Sequence, residues 1–256
     1  LVVQTLPVLR VVSQSPAGAT RISVQFIDVA FSLPIDPSTF TSNDIVLAGP
    51  QGIVPVQALT AQGNDVWRLE LPGELPDGIY ALTIASSIAQ PDGTPMNQNL
   101  NGVAGESSDA YVGTFVVDRT VPTLGQVTLT SSTLTVEFAD ALGMNSDSVT
   151  SLANYRLLAS GGDGTFDDGN EIDLSDRIVG SSTISGEVVT LTIAPSLADD
   201  VYRVVISASN ITDRAGNPLD ASDITVEATL DTAGDLDSTA LRQQVVDGLP
   251  ALLTQL

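Results

Sequence analysis

The chain has 256 residues, of which 43% are hydrophobic, and its formal net charge is −22. This length is sufficient for two domains of ordinary size, each with its own core. The acidic excess excludes nucleic acid as a partner and disfavours anionic membranes, because both would repel the chain.

No apolar run reaches the length that spans a membrane, so no membrane insertion is expected. Leu1 is followed by no basic segment, and we therefore predict neither a signal peptide nor a transmembrane helix. The absence of an initiator Met indicates a mature fragment or an excised piece.

Three residue types are missing from the chain: it has no His, no Cys and no Lys, and all nine basic residues are Arg. This excludes Ser-His, Cys-His and Ser-Lys nucleophiles, Schiff-base chemistry, thiol redox chemistry and ordinary zinc sites. A glycosidase that uses paired carboxylates remains compatible with the composition, but it also needs aromatic platforms for sugar. With one Trp and four Tyr, the sequence gives no positive signal for an enzyme, and we predict that the protein is not an enzyme.

Strands are predicted along most of the chain, because short segments rich in β-branched residues alternate with Pro, Gly, Asn and Asp turns. No helical period lies between them. In chain order, the first half gives ISVQFIDVAF, VWRLEL, IYALTIA and YVGTFVV, and the second half gives TLTVEF, NYRLLA, VVTLTI, VYRVVISA and DITVEATL. About seven short strands per hundred residues is typical of a Greek-key sandwich.

The two halves are copies of one repeat. LPDGIYALTI from Leu75 aligns with LADDVYRVVI from Leu197, which matches Tyr80 with Tyr202. Upstream of this match the offset is shorter by about a dozen residues, so the second copy contains an insertion. The insertion is the stretch GGDGTFDDGNEIDLSD, residues 161–176, which has six carboxylates and no basic residue.

The repeat divides the chain into three predicted parts. Residues 1–118 form the first sandwich, with residues 1–10 as a leading strand or linker, and residues 119–232 form the second. Residues 233–256 form a linker and an amphipathic helix, since four apolar residues fit one helical face: Leu241, Val245, Val246 and Leu249.

A family resemblance follows from several of these segments. SPAGAT, FSLPIDPSTFTSNDIVL and LPDGIYALTI in the first copy, and LADDVYRVVISASNITDRAGNPLD in the second, resemble the bacterial Ig-like domains of surface-layer and large secreted or adhesin proteins. The resemblance covers nearly all of Val11 to Leu230. It implies an all-β protein of two tandem Ig-like Greek-key β-sandwiches, here with a short C-terminal helix. PDGTPMN in the first copy departs from the family's Asp-x-Ala-Gly-Asn turn.

The acidic insertion is the candidate metal site, and calcium is the predicted ion, because calcium takes six to eight oxygen ligands from carboxylates, amides and carbonyls. Gly164 and Gly169 are expected to adopt positive φ, which turns backbone carbonyls inward. The alternative is a solvated, mobile loop, against which Phe166, Ile172 and Leu174 suggest anchoring. The predicted ligands are Asp163, Asp167, Asp168, Asn170 and Asp173.

DRAGNPLD is a second candidate ion site, with Asp213, Asn217 and Asp220 as its ligands. A turn capped by its own Asp and Asn side chains explains this segment better.

The predicted function is that of a non-catalytic structural or adhesive module, secreted or on the bacterial cell surface. It would be a spacer or stalk that calcium rigidifies. Its partners would be other cell-surface or matrix proteins, or further copies of itself joined through LVVQTLPVLRVV or the terminal helix.

The alternative is a polysaccharide-binding accessory module of a larger secreted enzyme. An exposed aromatic cluster beside the acidic insertion would favour this alternative, whereas burial of Trp67, Tyr80 and Tyr202 would argue against it.

Overall fold

The computed structural model describes residues 7–184 and 187–231, together with the backbone of Arg242 and Gln243. The chain divides into two compact units, Leu1–Arg119 and Thr120–Leu256. We call them the first and the second unit and describe each by itself.

The described residues of the first unit form two facing β-sheets. Its strands are β1 (Val11–Ser15), β2 (Gly18–Thr20), β3 (Phe26–Phe31), β4 (Ile45–Gly49), β5 (Gly52–Val54), β6 (Ala58–Gly63), β7 (Val66–Glu70), β8 (Gly78–Ile84) and β9 (Tyr111–Val117). One sheet has the order β1-β3-β7-β6 and the other β2-β9-β8-β4-β5. All strand pairs are antiparallel except β2 with β9, which is parallel.

The core of the first unit results from the period-two alternation of its strands, which places every second side chain between the sheets. In β3 the inward residues Ile27, Val29 and Phe31 are buried, and in β8 the inward residues are Tyr80, Leu82 and Ile84. The Tyr80 ring stacks on Phe115, with 5.1 Å between ring centroids. A Cβ atom added at Gly49 would lie 2.5 Å from this ring, so glycine is required there.

The second unit repeats this arrangement. Its strands are β10 (Thr123–Leu129), β11 (Thr133–Ala139), β12 (Tyr155–Ala159), β13 (Ile172–Asp173), β14 (Ile178–Ile184), β15 (Val188–Ile193), β16 (Asp200–Ile206), β17 (Ile224–Leu230) and β18 (Arg242–Gln243), and its helix is α1 (Ser146–Thr150). The sheets have the orders β10-β11-β15-β14 and β13-β12-β16-β17-β18. Strand for strand, β10, β11, β15 and β14 occupy the places of β1, β3, β7 and β6.

The aligned tyrosines of the repeat form the same structure in both units. The Tyr80 hydroxyl donates a hydrogen bond to the carbonyl of Pro76, and the Tyr202 hydroxyl donates one to the carbonyl of Ala198, each 2.8 Å long and four residues upstream. Both rings are buried. This arrangement is the tyrosine corner of Ig-like sandwiches. The predicted all-β fold of two tandem Ig-like sandwiches is thereby confirmed.

Two local expectations have different outcomes. In the segment ISVQFIDVAF the strand begins only at Phe26. The preceding carbonyls of Val24 and Gln25 accept hydrogen bonds from the backbone N–H groups of Leu75 and Leu71, which follow the end of β7. The predicted C-terminal helix lies outside the described residues, except that the backbone of Arg242 and Gln243 pairs with β17 as β18.

The burial of Tyr155 predicts that the second unit becomes less stable at alkaline pH. Its ring is buried, its hydroxyl donates to the Val149 carbonyl at 2.7 Å, and burial raises its pKa above the ordinary value. A raised folded-state pKa gives stability that is present below the unfolded pKa, about 10, and is lost as the pH rises above it. With neither Lys nor Cys in the chain, tyrosines are the side chains that titrate there.

We expect the free energy of unfolding of the second unit to fall by up to about 1.4 kcal/mol per pH unit for each buried tyrosine above about pH 10. The measurement is urea unfolding of the wild type and of Tyr155→Phe across this range. The variant loses about 1 kcal/mol at neutral pH but declines less steeply. An equal slope in both proteins would contradict the assignment.

Candidate functional site

The acidic insertion lengthens a hairpin of the second unit. In the first unit only Pro50 and Gln51 join β4 to β5, whereas residues 160–171 join the corresponding strands β12 and β13. We call residues 161–176 the acidic loop. Gly164 and Gly169 have positive φ, as predicted, and Asp167 also has φ of 72°.

Three of the five predicted ligands lie together: two of them bond the Thr165 hydroxyl, and the third bonds one of those two. Asp163 accepts hydrogen bonds from the Thr165 N–H at 2.9 Å and from its hydroxyl at 3.1 Å, and Asp168 accepts from the same hydroxyl at 3.0 Å. The side-chain amide of Asn170 donates to Asp163 at 2.6 Å. The Thr165 N–H and then the Asn170 amide hold the pKa of Asp163 below its usual value.

Asp167 lies apart from this group and joins the loop to the sheet. Its two carboxylate oxygens accept from Nη1 of Arg203 on β16, at 3.1 and 3.2 Å. The Arg203 guanidinium also lies 4.2 Å from the centroid of the Phe166 ring and bonds Glu227 on β17 at 2.8 Å. The Arg203 side chain is only 18% exposed. The loop is therefore anchored on the outward face of the β12-β16-β17 sheet, as the apolar residues of the insertion suggested.

Asp173 forms a third, separate arrangement on β13. It accepts from the N–H of Ser175 at 2.9 Å and from its hydroxyl, and Arg156 approaches it at 3.4 Å. The Ser175 hydroxyl and N–H hold the pKa of Asp173 below its usual value. Within the described ranges, no three carboxylates of the acidic loop have ligand atoms that all lie within 4.8 Å of one another.

Glu171 is a loop residue with a role that sequence reasoning missed. Its carboxylate accepts hydrogen bonds from the backbone N–H groups of Asp167, Asp168 and Gly169, the last two at 3.1 and 3.2 Å. Its own N–H and these three donors hold its pKa below the usual value. Successive N–H groups around a residue of positive φ form an anion-binding nest. The sequence Asp167-Asp168-Gly169 was the feature from which this nest could have been predicted.

A shallow depression of about 500 Å³ lies beside the loop and presents both signs of charge. Its lining consists of Arg156, Leu158, Asp167, Gly169, Glu171, Asp173 and Arg203. No aromatic ring lines this depression, and Tyr80 and Tyr202 are buried elsewhere. Trp67 is partly buried and packs edge-on against Phe40 at the core of the first unit. The aromatic platform that sugar stacking requires is not formed at this place.

The segment DRAGNPLD forms a closed turn, as its capping residues indicated. Asp213 is fully buried, and its carboxylate accepts from the backbone N–H of Asn217 at 2.8 Å and from the Asn217 side-chain amide at 2.7 Å. Gly216 has φ of 90°. These bonds explain the segment as a structural turn of the second unit.

Comparison with protein-family models gives a match that covers most of the described part of the second unit. Residues 113–229 match the family model described as bacterial Ig-like domain. This match confirms the predicted resemblance to bacterial Ig-like domains. No curated protein matches the chain.

Solved structures similar to this chain include the N-terminal part of the bacterial S-layer protein SbsC, with 12% identity and a TM-score of 0.32. The alignment covers 80% of this chain and 44% of that structure, so the chain spans less than half of its length. Native alpha-2-macroglobulin from Escherichia coli, spanning domains MG0-NIE-MG1, matches with 14% identity and a TM-score of 0.32, over 93% of this chain and 78% of that one. TM-scores of this size are too low to assign a shared function.

In the part of the chain that the structure describes, no helix is both long enough and apolar enough to cross a membrane.

Replacing Arg203 by Gln should loosen the acidic loop, because it removes the ion pair with Asp167 and the contact with the Phe166 ring. We expect amide hydrogen exchange at Asp167, Asp168 and Gly169 to accelerate roughly fivefold, corresponding to about 1 kcal/mol. The measurement is exchange by NMR or mass spectrometry.

The control is Arg156→Gln, which makes the same charge change but removes only an exposed 3.4 Å pair. Equal acceleration in both variants would contradict the anchoring role of Arg203.

Proposed function

We propose that this chain is a non-catalytic structural or adhesive module of a secreted or cell-surface bacterial protein. Three observations support this proposal: the bacterial Ig-like match over residues 113–229, the tandem of two complete sandwiches, and the absence of His, Cys and Lys from the sequence. The role of such a module is mechanical, since its sandwiches hold neighbouring parts of a long protein at a distance.

Within this function, the acidic loop is proposed to bind one calcium ion. The observation that carries the proposal is the convergence of Asp163 and Asp168 on the Thr165 hydroxyl, with the Asn170 side-chain amide bonded to Asp163. These side chains offer the oxygen ligands that calcium prefers, and the hydrogen bonds that lower the pKa of Asp163 stabilise its ionised carboxylate. Rotation of the Asn170 amide would replace its N–H donor with its oxygen and complete a three-residue ligand set.

Calcium bound there would act on a loop that is already joined to its sheet through Arg203. The ion would neutralise the repulsion between Asp163 and Asp168, which share the Thr165 hydroxyl as a hydrogen-bond donor. Because only the folded loop presents this ligand set, the ion would add stability that grows with free calcium. The second unit would then be the part of the spacer that responds to calcium.

The partners proposed for this module are other cell-surface or matrix proteins. Polysaccharide binding receives no support from the depression beside the acidic loop, because aromatic rings are missing from its lining.

The proposal is tested by calorimetric titration of the chelated protein with calcium. We expect heat for one ion in the wild type and at least about tenfold weaker binding in Asp163→Asn/Asp168→Asn, because two carboxylate ligands become amides. The matched control is Asp147→Asn/Asp223→Asn, which makes the same charge change on exposed residues outside the loop.

If the wild type gives no heat, the loop binds no calcium and is ordered by Arg203 and Glu171 alone. If the control weakens binding as much as the loop variant, the ion is attracted by net charge and not by a site.

A further inference from the structure

A pocket of about 460 Å³ lies in the first unit, between the segment that enters β1 and the residues that follow β8. We call it the Asn97 pocket. Its apolar walls include Val8, Leu33 and Pro95, and Asn97 is one of its polar residues. Ligand sites in proteins commonly have volumes of about 300 to 1,000 Å³ and combine apolar walls with a few polar groups. The Asn97 pocket has the size and the lining of such a site.

Asn97 brings an unsatisfied hydrogen-bond acceptor to this pocket. The residue is only 4% exposed, and its side-chain Oδ1 is buried and has no hydrogen-bond partner among the described residues. Its backbone N–H donates to the carbonyl of Leu9 at 2.9 Å, which holds it beside the segment that enters β1. Buried polar atoms in folded proteins are nearly always paired. An occupant that donates a hydrogen bond would satisfy this oxygen.

The turn on one side of the pocket differs from the corresponding turn of the second unit. The two backbones agree: the Gln90 N–H donates to the Thr94 carbonyl at 2.9 Å, and the Asp213 N–H donates to the Asn217 carbonyl at 3.0 Å. In the second unit, the Asn217 side-chain amide also donates to the Asp213 carboxylate at 2.7 Å. Among the described residues of the first unit, no side-chain bond joins Gln90 to Thr94, and both residues line the pocket. The departure of PDGTPMN from the family's turn therefore leaves these side chains available to a ligand.

The charge of the pocket favours a cationic occupant. Asp92 is the one charged residue in the lining that the structure describes, and its Oδ1 accepts from the Thr94 N–H at 2.9 Å. Hydrogen bonds from Thr94 lower the pKa of Asp92 and so stabilise its ionised carboxylate. The whole chain adds to this field with a net charge of −22. The pocket would therefore repel an anion and attract a cation.

We infer that the Asn97 pocket binds a primary alkylammonium group, which is either a free amine or the lysine side chain of another protein. The ammonium head offers three hydrogen-bond donors to the Asn97 oxygen and the Asp92 carboxylate, and its alkyl stem suits the apolar walls. The chain itself contains no Lys, so a lysine occupant comes from a different protein. This inference goes beyond the proposed function, because it concerns the first unit and does not depend on calcium binding by the acidic loop.

Two other classes of ligand fit the pocket less well. A calcium ion takes six to eight oxygen ligands, of which the Asp92 carboxylate and the Asn97 amide would supply few, and the remaining walls are largely apolar. A sugar would need an aromatic platform, and no aromatic ring is part of the lining in the described ranges.

The test is a titration of the isotope-labelled full chain with pentylammonium chloride, followed by NMR at an ionic strength that sodium chloride holds constant. We expect saturable shifts of the amide signals of Thr94, Asn97 and Gly102, which line the pocket, with a dissociation constant of about 1 mM. The neutral analogue 1-pentanol keeps the stem but loses the charge and should bind at least about tenfold more weakly. Equal binding of pentanol, or the absence of saturable shifts at these residues, would overturn the inference.

Two variants locate the binding groups. Asp92→Asn and Asn97→Leu should each weaken pentylammonium binding at least about fivefold, because one removes the charge and the other the unpaired acceptor. Asp92 is exposed, and Asn at this position keeps an oxygen for the Thr94 N–H, so this variant remains informative if Asn97→Leu does not fold. The matched control is Glu70→Gln on β7, which makes the same change of charge outside the lining. Equal weakening in Asp92→Asn and Glu70→Gln would show attraction by net charge alone and would overturn the inference.

A lysine with both main-chain ends blocked distinguishes the two sources of the alkylammonium group. If it binds and shifts the same signals as pentylammonium, the lysine side chain of a partner protein is a ligand of the pocket. If pentylammonium binds and the blocked lysine does not, the ligand is a free amine. Either result supports an alkylammonium site in the first unit.

Discussion

Each sandwich buries one side of each of its two sheets, and this constraint separates the residues that hold the fold from those that can differ between the units. Tyr80 and Tyr202 point inward and make the same hydrogen bond four residues upstream. The next residues, Ala81 and Arg203, point outward and differ in size, polarity and charge. The buried sides therefore define the repeat, whereas the outward sides differ: Arg203 anchors the acidic loop in the second unit, and Ala81 in the first unit has no side chain that could do so.

The fold was predictable from the sequence because its signal is periodic. Alternation in segments such as VVTLTI places Val189, Leu191 and Ile193 on the buried side, and the structure has them there. The alignment of Tyr80 with Tyr202 identified equivalent core positions without any structure. The pairing of β2 with β9 was not predictable, since three residues give no period and their partners lie about a hundred positions away.

The acidic loop was predictable as an insertion but not as an arrangement of side chains. Sequence reasoning grouped Asp163, Asp167 and Asp173 as ligands of one ion, and the structure places them in three separate hydrogen-bonding groups. The separation depends on Arg203 and on the nest around Glu171, which involve a neighbouring strand and backbone dihedrals. The anchor and the nest produce no periodic pattern in the sequence. The alignment of Ala81 with Arg203 was the one visible sign that this side of the sheet differs between the two copies.

The parallel pairing of β2 with β9 gives the first unit a direction in which it resists tension. Gly18, Ala19 and Thr20 lie beside Phe115, Val116 and Val117, so the pair joins a strand near the start of this unit to the strand at its end. Pulling the two ends apart draws parallel strands in opposite directions along their length. Their hydrogen bonds are then loaded together in shear and not one after another. A load applied to the two ends of this unit is therefore shared by all the hydrogen bonds of the pair at once.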